Sequence, residues 1–272
     1  SRGEASAIEP WDWRYYAEKV RQVRYAVDDA AVKPYFALER VVAAAFDCAE
    51  RLFGLRFVPC PQITAYHPDV KVYEVRGRDD RQVGVFLHDN FARPTKRGGA
   101  WMSSYRLQSR IAGDVLPIIV NNNNFAKGAP GEPTLLSLDD ALTLFHEFGH
   151  GLHGLLSQVT FESLSGTQVL RDFVELPSQI FENWLLEPEV LKRHALHVDT
   201  GAPMPDELLA RLEQARRFNQ GFETVEYTAC ALVHMPPHAQ PPPAGFHITA
   251  LERSELARIG MPREIVMRHR LP

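Results

Sequence analysis

The sequence predicts a mainly α-helical protein with a small, mostly antiparallel β-sheet between its helical ends. Three observations carry this reading. Apolar residues recur at helical spacing over residues 11–27 and 34–53, and again from Ser137 nearly to the end of the chain. Between residues 55 and 125 the period shortens towards two, with turn-rich runs such as Gly77-Arg78-Asp79-Asp80 separating the segments. The 272 residues are 45% hydrophobic and 24% charged, enough apolar material for a full core, which excludes disordered, collagen-like and low-complexity classes.

The elements follow in order. The helix over 34–53 has Pro34 at its first turn and Gly54 just past its end, the expected punctuation, and with the helix over 11–27 it forms an α-hairpin covering residues 1–54. Strands are expected at 55–58, 70–75, 83–87, 100–105 and 115–120, making residues 55–125 the sheet. Residues 126–272 form the remaining helical part, interrupted by Gly201-Ala202-Pro203 and by the proline cluster over 236–245. The three parts are read as one domain.

Charge and cysteine usage narrow the function classes. Thirty basic and 34 acidic residues are mixed along the chain, which leaves no basic footprint for nucleic acid. The longest apolar run, residues 41–46, is far too short to span a bilayer. Cys48, Cys60 and Cys230 are an odd set without paired spacing, so a reducing, cytoplasmic setting is expected. Residues 1–10 lack both an initiating Met and the layout of a signal peptide, and the chain reads as a piece of a longer protein.

The chemistry lies in His146-Glu147-Phe148-Gly149-His150, an HExxH sequence. Residues four apart share a helical face, so both imidazoles reach one metal ion, with Glu147 beside it as a general base. The surroundings supply the helix: Ser137 and Asp140 form a capping-box pattern, and Asp139 and Asp140 put negative charge in the first turn. Phe145, Phe148, Leu152 and Leu155 make an apolar side, while Leu142, His146, Gly149, His150 and His153 line another. A catalytic zinc site takes three protein ligands and leaves a position for water. His153 is on the ligand face but a turn too far along for a rigid helix, so it reads as a supporting or packing residue. Asp172, Glu175, Glu182 and Glu187 are the carboxylates of the next helical segment, and geometry alone leaves the choice among them open.

The segment from Phe145 to His153, followed by Ser165-Gly166-Thr167 and by Asp172-Phe173-Val174-Glu175-Leu176-Pro177-Ser178-Gln179, resembles the thimet-oligopeptidase family of zinc metallopeptidases. The similarity extends through Trp11-Asp12, His67-Pro68-Asp69-Val70, Lys96-Arg97-Gly98-Gly99-Ala100-Trp101-Met102, Asn124-Phe125, Thr200-Gly201 and Met261-Pro262-Arg263, nearly the whole chain. It implies a zincin-like catalytic region holding one Zn²⁺, with His146, His150 and Glu175 as ligands and Glu147 as the catalytic base. Asp172 and Gln179, a turn to either side of Glu175, become candidates for supporting the ligands, alongside the plain reading of ordinary polar helix residues. Gly99, Ala100 and Trp101 resemble the edge strand along which peptide substrates lie, against the plain reading of a structural strand anchored by Trp101. The implied substrates are short peptides, with release of C-terminal dipeptides favoured over the internal cleavage of the family's oligopeptidase branch. A zinc-binding piece without turnover is the reading from a different class.

The chain departs from the family pattern in three places. Tyr66 stands where a Trp often precedes His-Pro-Asp, His234 stands where an Asp is expected between Val233 and Met235, and the proline-rich stretch over 236–245 replaces a helical segment. The resemblance also places the family's Tyr- and Gly-rich oxyanion-binding segment beyond Pro272, so this stretch by itself is expected to turn over peptides slowly.

Overall fold

The computed structural model describes residues 8–9, 11–25, 29–240, 245–262, 265 and 267. They fall into two compact units, residues 1–27 with 207–272 and residues 28–206. Helix α1 (Trp13–Tyr25) belongs to the first unit, whereas α2 (Asp29–Val32) and α3 (Leu38–Phe53) belong to the second. The expected hairpin over residues 1–54 is therefore divided between units. Its second helix ends as its punctuation demands: Gly54 takes the left-handed conformation at φ 73°, and its N–H closes the last turn onto the Glu50 carbonyl.

The larger unit is built on five strands, β1 (Arg56–Pro59), β2 (Lys71–Arg76), β3 (Gln82–Phe91), β4 (Trp101–Arg106) and β5 (Ile118–Phe125), in the spatial order β1-β2-β3-β5-β4. Three of the four pairings are antiparallel, but β3 and β5 run parallel, with His88 opposite Asn121. The sheet is mixed rather than antiparallel. The chain leaves β3, turns back as β4 and then inserts β5 into the gap between them, a non-local step that a period-two pattern does not encode. β3 and β5 also run past their expected ends at Leu87 and Val120. Asn90, Asn121 and Asn123 are buried there although Asn is a poor strand former, because pairing inside the sheet overrides propensity.

Helix α4 (Leu138–Leu155) lies across one face of this sheet and contacts β3, β4 and β5. Its start is the one the sequence specifies. Ser137 Oγ accepts from the Asp140 N–H at 3.0 Å, and Asp140 Oδ2 accepts from the Ser137 N–H at 3.1 Å. Phe145, Phe148, Leu152 and Leu155 are all buried, and Phe148 meets Phe46 of α3, Phe57 of β1 and Phe86 of β3 with ring centroids 5.3–5.5 Å apart. Helix α6 (Leu176–Leu185) packs against α4, preceded by the short α5 (Arg171–Val174), which contacts α6, and followed by α7 (Pro188–His194).

The smaller unit comprises α1 with α8 (Asp206–Arg216), α9 (Gln220–Ala239) and α10 (Ile248–Arg258). The break expected from Pro236 comes later. Pro236 and Pro237 sit inside the last turn of α9, where Gln240 N–H still bonds the Pro236 carbonyl, and residues 241–244 lie outside the described residues. Ala229 and Val233 of α9 are buried against Leu256 of α10 and Met261. No helix among the described residues is long and apolar enough to cross a membrane.

Candidate metal centre

Helix α4 puts His146 and His150 one turn apart on one face, their rings 4.9 Å apart and nearly perpendicular. The α5–α6 segment brings Glu175 to them. Glu175 Oε2 lies 3.2 Å from His146 Nε2 and 3.0 Å from His150 Nε2, and one ligand atom from each of the three lies within 4.8 Å of the other two. Donors around a tetrahedral zinc at its usual bond lengths are about 3.3 Å apart, so the set fits that ion in both chemistry and spacing.

The approach of α6 depends on a glycine. A β-carbon at Gly149 would stand 2.7 Å from Ser178 Cα and 3.0 Å from the Pro177 carbonyl oxygen. With no side chain there, the two helix backbones meet beside the HExxH turn, and Glu175 arrives at the level of both histidines. Ser178, wholly buried, donates its hydroxyl proton to Glu175 Oε2 at 3.0 Å and to the Glu175 carbonyl at 2.9 Å. Burial of Glu175 works to raise its pKa, but the Ser178 hydroxyl and the facing imidazoles outweigh it and hold the carboxyl below its ordinary range.

His146 is oriented from its far side. Its Nδ1 lies 2.6 Å from Glu182 Oε1, so Nδ1 carries the proton and the Nε2 lone pair faces the metal position. His150 is mostly buried, and desolvation lowers its pKa below the usual histidine value, which favours the neutral, ligating form.

Glu147 points into the cleft between α4 and β4 and is only 6% exposed. Desolvation raises its pKa to about 7, with the Glu175 charge adding to the rise, while His146 and the backbone N–H of Met102 pull the other way. A carboxyl poised near neutrality beside a metal site is suited to moving a proton in both directions. The cleft has a volume of about 370 Å³ and is lined by Ala100, Trp101 and Met102 on one side and by Thr167, Val174 and Glu175 on the other, with His146, Glu147 and His150 as its floor.

The sequence pattern of peptidase family M3 matches residues 1–265. The chain belongs to that family. Over 229 residues it is 46% identical to the dipeptidyl carboxypeptidase of Salmonella typhimurium, covering 84% of this chain and 34% of that protein, and the Escherichia coli protein of the same name matches equally well. Oligopeptidase A of Escherichia coli is 36% identical over 236 residues. The chain spans about a third of the length of these relatives.

Within this M3 chain the other expected site residues divide. Ala100 and Trp101 line the cleft, joined by Met102, whereas Gly99 stands outside it with its carbonyl bonded to Asn124. His153 is not in the three-ligand group; its ring packs 6.3 Å from that of Phe173, and desolvation lowers its pKa. Asp172 and Gln179 lie on the exposed side of their helices, and the hydrogen bonds to the centre come instead from Ser178 and Glu182. The reason is helical phase. At about 100° per residue, Ser178 and Glu182 fall on the side of α6 that carries the buried Phe181 and Leu185, while Gln179 falls on the other side; Asp172 lies in α5, none of whose residues is buried. The seven-residue spacing of Glu175 and Glu182, two turns on one face, was the signal that could have found Glu182.

Proposed function

We propose that this chain carries the catalytic centre of a zinc-dependent peptidase that releases dipeptides from the C-terminus of short peptides. The observation that supports it most is the convergence of His146, His150 and Glu175 on one point, with Glu147 buried beside them at the floor of an open cleft. Zinc bound there supplies a Lewis acid that acidifies water and polarises a peptide carbonyl.

The chain's own residues do the rest. Glu147, buried beside the candidate ligands, accepts a proton from the attacking water and gives it to the leaving amine nitrogen, so one carboxyl serves as base and then acid. Glu182 keeps His146 in the tautomer that presents Nε2. β4 is an edge strand, and its outer side at Ala100–Met102, along the cleft, suits an extended peptide laid along the sheet. Three free thiols accord with a cytoplasmic place of work. Dipeptide release rests on the name and 46% identity of the dipeptidyl carboxypeptidases, against 36% for oligopeptidase A.

Two measurements test this. Glu147→Gln in the full-length parent should bind zinc normally and lose turnover by at least a hundredfold, because the amide keeps the shape and cannot take the proton. Mass spectrometry on one peptide with a free and an amidated C-terminus separates the two activities: only the free form should yield dipeptides, and equal internal cleavage of both would point to an oligopeptidase.

A further inference from the structure

Two sequence segments far apart in the chain, residues 96–102 and Asn124-Phe125, are joined at one end of the sheet. The connection from β3 to β4 carries Gly98 and Gly99, and a β-carbon built on either has nothing within 4 Å. Apolar packing does not hold this connection at those glycines. Polar bonds hold it instead. Asn124 of β5 donates both hydrogens of its Nδ2, to the Arg97 carbonyl at 2.7 Å and to the Gly99 carbonyl at 2.5 Å. One step earlier, the buried Lys96 ammonium bonds Asp89 Oδ1 at 3.1 Å, the Phe91 carbonyl at 3.0 Å and the Asn123 carbonyl. Asp89, with no exposed surface, also takes a bidentate pair of bonds from Arg93 at 2.6 and 2.7 Å. The next residues along, Ala100, Trp101 and Met102, form the cleft wall facing Glu147 and the metal ligands.

We propose that Asn124 is a positioning residue for peptide binding: by fixing the carbonyls of Arg97 and Gly99 it sets the edge backbone at Ala100–Met102 against the metal centre. This rests on the peptidase reading. Its two bonds lie at the inlet of the edge strand, after the lysine anchor and before the ladder that pairs Trp101 and Met102 with β5, so their loss loosens the lead-in that sets the wall at Ala100 and leaves the core and the three ligands in place. Further along, Trp101 and Met102 are paired with Asn122 and Asn121 of β5, and the Arg97 guanidinium and Lys96 ammonium lie 4.9 and 6.0 Å from the centre of the Trp101 ring.

The test is made in zinc-loaded Glu147→Gln protein, so that an alanine-rich pentapeptide with a free C-terminus binds without being cut. Asn124→Ala and Asn124→Asp are compared with it by amide hydrogen exchange over residues 97–103 and by calorimetric titration of the peptide. Both variants should speed exchange there by tenfold or more and weaken peptide binding about tenfold, the scale of two hydrogen bonds to carbonyls, with zinc content unchanged. The aspartate has the shape of asparagine but turns an oxygen towards two carbonyls, so an effect at least as large as that of alanine marks the donor role. Exchange and peptide affinity both within twofold of the parent would overturn the proposal. Faster exchange with unchanged affinity would overturn it too, because the strand would then be held for stability alone. Faster exchange in the variants, with no peptide binding even by the Asn124 parent, would instead sink the peptidase reading and leave Asn124 as the clamp of this strand.

Discussion

Gly149 and Ser178 bring two helix backbones so close that a β-carbon on the first would stand 2.7 Å from the Cα of the second. That contact joins the HExxH helix to the segment carrying Glu175, and it makes a glycine with no chemistry of its own part of the candidate metal centre. Because the opposing atoms are backbone, they do not rotate away.

Gly149→Ala should therefore push α6 off α4, destabilising the fold by about 1–3 kcal/mol and weakening zinc binding by separating Glu175 from the histidines. Chemical denaturation with and without zinc, alongside a competitive zinc titration, checks both halves. A variant with wild-type stability and zinc affinity would show that the helices repack freely here.

Zinc itself should depend on three side chains and not on a fourth. His146→Ala, His150→Ala and Glu175→Ala should each remove most of the metal found by elemental analysis, whereas His153→Ala should retain it, its ring packing against Phe173 outside the ligand group. Metal lost in His153→Ala and kept in Glu175→Ala would reverse the ligand assignment.

Glu182→Gln should raise the zinc dissociation constant about 10- to 100-fold, since the carboxylate 2.6 Å from His146 Nδ1 fixes the tautomer and orientation of the imidazole. Asp172→Asn and Gln179→Ala, on the exposed side, should stay within about twofold of the parent. Competition with a chromogenic chelator ranks the three.

His88 makes stability depend on pH. It is 1% exposed on β3, and burial, with the Lys71 charge adding to it, pushes its pKa down to about 3 from the ordinary histidine value near 6.5. The folded state thus keeps His88 neutral where the unfolded chain takes up a proton, so its contribution is full above about pH 6.5 and is lost as pH falls towards 3. Between pH 7.5 and 4.5 this removes about 3 kcal/mol, and His88→Phe should show a smaller loss of denaturation midpoint over that interval. Identical pH dependence in the two proteins would remove His88 as its source.

Much of this could be read from the sequence because it is local. A capping box spans four residues, a helix stop needs one glycine, and i,i+4 spacing puts His146 and His150 on one face, so the start of α4, the end of α3 and two candidate ligands were legible without knowing what surrounds them. The five strands were legible as segments for the same reason, through side-chain alternation. Their order and direction were not, because inserting β5 between β3 and β4 is settled by which buried faces fit together, and alternation is the same for parallel and antiparallel partners. The third candidate ligand and its supports belong to this second kind. Glu175 meets the histidines only where Gly149 admits the Ser178 backbone, and whether Glu182 or Gln179 supports the site depends on which side of the helix is buried. Likewise Asn124 and Arg97 stand 27 residues apart and become partners only when β5 lies beside β4. Local geometry repeats wherever its residues occur, whereas these contacts exist only once the chain has packed.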